Sequence, residues 1–102
     1  MHGYVFVEGF TALPRYEAIA RLKDAVAEAE GVLVDFGFFG EAAIRLTVEL
    51  EASALPRLGE ALASARVQLL ERCAAELATA PPSRRPVTAL LHIAFLPTGP
   101  VA

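Results

Sequence analysis

Apolar residues recur along this chain with two different periods, and the points where the period changes mark its elements. "YVFVEGF" (4–10) is rich in β-branched and aromatic residues and carries a glycine at Gly9, which predicts a first strand. Beyond it the period lengthens. Ile19, Leu22, Val26 and Ala29 fall on one face at spacings of three and four, predicting a helix over 14–30. Pro14 suits its first turn and Gly31 its end. Glu17 and Arg21, four apart, form a pair on the wet side.

Period two returns in "GVLVDFGFFGEAAIRLTVELE" (31–51), which predicts strands over 32–38 and 42–50. In the first, Val32, Val34, Phe36 and Phe38 oppose Leu33, Asp35, Gly37 and Phe39; in the second, Ile44, Leu46, Val48 and Leu50 oppose Arg45, Thr47 and Glu49. A loop of Phe39, Gly40 and Glu41, with Gly40 supplying the positive φ, sets Asp35 directly opposite Arg45. Such a cross-strand ion pair contributes roughly 0.2–1 kcal/mol and helps select the register, a structural role for Asp35 rather than a catalytic one.

"SALPRLGEALASARVQLLERCAAELATA" predicts a second helix over 54–78, with Ser53 as N-cap and Pro56 in the first turn. Leu55, Leu58, Leu62, Leu69, Cys73 and Leu77 step along one stripe. At 1.5 Å per residue this helix is roughly 37 Å long and overhangs strands of about 27 Å. An alternative ends it near Ser64 and makes "RVQLLE" a strand; the period running on through "ERCAAELA" favours one helix. "PPSRRP" (81–86) breaks the pattern, "VTALLHIAFL" (87–96) is a last strand, and "PTGPVA" forms a tail.

Strand, helix, two strands, helix, strand is the order of a ferredoxin-like βαββαβ domain. That fold is an α+β arrangement with a four-stranded antiparallel sheet in order 4-1-3-2 and both helices on one face. The chain of 102 residues is one such domain. The strand-one exit "GFTALPRYEAI" resembles the corresponding turn of ACT-type regulatory domains over about ten residues. Pro14 falls one place out of register with that turn, and Arg15 stands where it carries glycine. The resemblance implies the same fold and an amino-acid site at a subunit interface.

Composition adds an excess of apolar surface. The hydrophobic share is 55% and the mean hydropathy +0.46, more than a domain this small can hide alone, which favours a homo-oligomer, a dimer first. A net charge of −3 with nine scattered Lys and Arg excludes a nucleic-acid binder. The longest apolar runs fall far short of the roughly 20 residues that span a bilayer. No basic segment leads into a signal-type stretch, and the lone Cys73 forms no intrachain disulfide, so a cytoplasmic setting is expected. Cys73 reads as a small buried core residue, since no base adjoins it in sequence.

The sheet face away from the helices takes Tyr4, Phe6 and Glu8 from the first strand. The last strand gives it Thr88, Leu90, His92, Ala94 and Leu96, and the hairpin gives it Leu33, Asp35, Arg45, Thr47 and Glu49. Half of this face is apolar and requires a cover. Tyr4, Phe6, Glu8, Arg45, Leu90 and His92 are therefore the candidate interface or ligand-binding residues. They suit a non-enzymatic binding or regulatory module whose open face is the subunit interface and encloses a small-molecule ligand. The alternative is a dimeric α+β barrel enzyme in which His92 and Glu8 form an acid–base pair, with Tyr4 or Arg45 orienting a substrate oxygen. His2, His92 and Glu8 share a face, yet no HxxxH or CxxC spacing supports a metal, and no phosphate loop or other cofactor motif is present.

Overall fold

The computed structural model describes residues 3–97. Its elements are β1 (Gly3–Thr11), α1 (Arg15–Glu28), β2 (Val32–Phe39), β3 (Ala43–Glu51), a 3₁₀ turn (Ala52–Ala54), α2 (Leu55–Ser64), β4 (Gln68–Leu69), α3 (Glu71–Ala78) and β5 (Pro86–Phe95). The strands form one five-stranded mixed sheet in the order β2-β3-β5-β1-β4. β5 runs parallel to β1 and antiparallel to β3. The ferredoxin-like βαββαβ arrangement is therefore overturned, and with it the fold implied by the ACT-type resemblance. The last strand lies between β1 and β3, not outside β1.

One short segment causes this. The helix expected over 54–78 ends at Ser64, and Ala65–Val67 reverse the chain. The Arg66 N–H bonds the Ala63 carbonyl at 3.1 Å and the Val67 N–H bonds the Leu62 carbonyl at 3.0 Å, with Arg66 at φ 66°. That is a Schellman closure with arginine in the left-handed position that glycine usually takes. The Arg66 carbonyl is held by the Thr11 hydroxyl at 2.9 Å. Gln68 and Leu69 then pair with Phe10 and Gly9, and α3 carries the chain back. β5 consequently enters at the end where β3 finishes, Pro86 beside Glu51 and Val87 beside Gly3. A single uninterrupted helix would have delivered it to the opposite end.

All three helices contribute to one core. Leu22 and Val26 of α1, Leu58 and Leu62 of α2 and Leu77 of α3 pack with Val7, Ile44, Leu46, Val48, Leu91 and Ile93 of the sheet. The end of α1 repeats the closure of α2: Glu30 takes φ 57°, and the Gly31 N–H bonds the Val26 carbonyl at 2.9 Å. Glycine is required at 31 for space, since a Cβ there would lie 2.9 Å from Cγ1 of Val48. Glu17 and Arg21 form the helix-surface ion pair at 3.1 Å.

Below β4 the outer edge of β1 is closed by α3. The Cys73 thiol accepts from the Glu8 N–H at 3.4 Å and points to the Phe6 carbonyl at 3.7 Å, while the Leu70 N–H bonds the Glu8 carbonyl at 2.9 Å. Cys73 is thus a buried residue that also satisfies a strand edge.

The hairpin departs from expectation in register. Its loop is Gly40, Glu41 and Ala42, with Phe39 opposite Ala43 and Gly40 at φ 55°. From Asp35 to Phe39 each pair moves by two places relative to the loop read from sequence, so Asp35 faces Thr47 and Arg45 faces Gly37, while Leu33 and Val32 move by one. The Asp35–Arg45 ion pair does not form. An irregularity between Leu33 and Asp35 also shifts the alternation, so Leu33 opposes Val48 and packs against the core instead of joining the open face. Val32, Val34, Phe36 and Phe38 remain largely exposed, because β2 is an edge strand. Arg15 and Lys23 of α1 lie over the rings of Phe38 and Phe36 at 3.9 and 5.1 Å.

Candidate functional site

The strand registers set the open face out as a grid. One row crosses the sheet through Glu8, His92, Arg45 and Gly37; the next holds Phe6, Leu90, Thr47 and Asp35; a third holds Phe10, Ala94, Ala43 and Phe39. Tyr4, Thr88 and Glu49 complete it at the end where β1 begins. Tyr4 and Phe6 are 63% and 66% exposed, and His92 and Arg45 are also exposed. Leu90 and Ala94 are half-buried, and Leu96 lies beyond the strand. A parallel β1–β5 pair thus places the candidate residues on one face, as alternation required, but in an order set by the insertion of β5.

Glu8 and His92 are register partners, and no ion pair joins them. The His92 ring instead packs against Phe39, with centroids 5.6 Å apart and planes at 59°. Arg45 covers the same Phe39 ring at 4.9 Å. The guanidinium expected to pair with Asp35 is held by an aromatic ring. Phe39 was absent from the residues singled out in the sequence. Its alternation with Asp35 and Gly37 placed it on this face, but contact with His92 needed the central position of β5.

The sheet is open at both edges, β2 and β4, and does not close on itself. Beside β1 a groove of about 440 Å³ runs between Tyr4, Phe6 and Glu8 on the strand and Arg72, Glu76 and Thr79 on α3. Among the described residues, no group of three or more His, Cys, Asp and Glu stands together as a metal site. His2 lies outside the described residues. No described helix is long and apolar enough to cross a membrane.

Comparison with protein-family models, with curated proteins and with solved structures finds no match to this chain.

Proposed function

We propose that this domain is a homo-oligomeric, non-enzymatic binding or regulatory module that buries the open face of its sheet against a second copy. One observation carries the reading: Tyr4 and Phe6, two aromatic side chains of β1, are each more than half exposed. The three helices contribute to a single core, and Tyr4 and Phe6 lie outside it, with α3 flanking them across the groove beside β1. Burying one such ring contributes roughly 1.5–3 kcal/mol, so a face with several of them gains substantially on pairing. Apolar patches of this kind, rimmed by charge, mark interaction sites. The groove between β1 and α3 gives a small ligand a place at the rim of the same interface.

Light scattering coupled to size exclusion tests this directly. The native protein runs as a dimer at micromolar concentration, and Phe6→Glu, which sets a carboxylate in the middle of the face, runs as a monomer with an unchanged circular dichroism spectrum. A native protein that is monomeric throughout that range refutes the proposal.

A further inference from the structure

Resting on that reading, we infer the symmetry of the dimer: the two sheets face each other about a two-fold axis parallel to β5, which sets β1 of each copy over β3 of the other. The argument starts from the central row. The Leu70 N–H bonds the Glu8 carbonyl, so the ladder extends one residue past β4 and the row reads Leu70, Glu8, His92, Arg45, Gly37. Its charge is antisymmetric about β5, acid on one side of His92 and base on the other. A rotation about β5 therefore lays Glu8 on the partner's Arg45, and does so twice. The same rotation sets Leu70, 38% exposed, over the partner's Gly37, where no Cβ stands.

Shape agrees with charge. β1 presents Tyr4, Phe6, Glu8 and Phe10, whereas the neighbouring positions of β3 are Glu49, Thr47, Arg45 and Ala43. The face is tall along β1 and low at Thr47 of β3, which is level with Phe6, whereas Ala43, level with Phe10, is itself buried. Rotation about β5 fits the tall side of one copy to the low side of the other. A two-fold perpendicular to the strands would instead press the aromatic ridge on itself and bring the two Glu8 side chains to the same side. Facing sheets sit about 10 Å apart, a gap that aromatic rings and a Glu–Arg pair fill from the two sides. Four strands of eight to ten residues, about 4.8 Å apart, give a face on the order of 500 Å² in plan, near the ~1,000 Å² in total that a specific interface needs.

Charge reversal tests the arrangement by sedimentation equilibrium of the full chain at low salt. Glu8→Arg and Arg45→Glu each raise the dimer dissociation constant at least about tenfold, because each sets two like-charged pairs in the interface. The double variant, and an equimolar mixture of the two single variants, return it to within about threefold of the native value, since both restore opposite charges across the axis. Glu8→Gln, which keeps the side-chain size, and Arg45→Gln, which shortens it, weaken the dimer less, and the pair together no more than either alone. A dimeric native protein whose reversed double variant stays as weak as the worse single variant overturns this symmetry and leaves the open-face reading standing. A monomeric native protein overturns both.

Discussion

Arg66 occupies the conformation that decides the fold, and glycine there should make the protein more stable. Its φ of 66° is left-handed, a region that costs a residue with a Cβ roughly 1–2 kcal/mol. Glycine removes that cost and returns about 0.5–1 kcal/mol through the greater freedom of its unfolded chain. The Arg66 side chain is exposed and forms none of the three ion pairs found among the described residues. Both backbone bonds of the closure and the bond from Thr11 use main-chain atoms that the substitution keeps. The net gain for Arg66→Gly is therefore on the order of 0.5–1 kcal/mol, a rise in Tm of about 2–8 °C for a domain of this size. Arg66→Ala keeps the Cβ and leaves stability within about 0.5 kcal/mol of native. Urea unfolding at one fixed protein concentration measures both, with the slope m checking that the unfolded state is unaltered. A stability of Arg66→Gly equal to or below that of Arg66→Ala, with m constant, would show that position 66 is not strained and would refute the account of the chain reversal.

The remaining expectations concern the sheet. Gly9→Ala puts a Cβ 2.6 Å from the Gln68 carbonyl oxygen, so it should cost about 1–3 kcal/mol and expose the β4 amides to hydrogen exchange ahead of those of β5. Leu91→Ala, at a fully buried site on the central strand, should cost about 2–5 kcal/mol in urea unfolding. Asp35→Ala should change stability by less than about 0.5 kcal/mol, because Asp35 is exposed and faces Thr47 instead of Arg45; a larger loss would restore the ion pair that the register denies it.

Much of this molecule is written in local pattern. The run from Tyr4, the helix stripe Leu22–Val26–Ala29 and the alternation of Ile44, Leu46, Val48 and Leu50 each declare an element, because burial on one side imposes its period on the chain. The same alternation selects the open face and places Tyr4, Phe6, Glu8, Leu90, His92 and Arg45 together on it. Register and strand order are not written locally. The hairpin loop shifts by one residue once Gly40 takes the first loop position, and a parity rule cannot distinguish registers two residues apart. The break after Ser64, with a strand in "RVQLLE", was one of two readings open in the sequence, and local pattern favoured the other, since the left-handed residue is an arginine and the apolar period runs on through α3 as though the helix continued. What holds Arg66 in place is Thr11, 55 positions away along the chain. Only tertiary contact could therefore reverse the chain there, send β5 between β1 and β3, and align Glu8, His92 and Arg45 in one row.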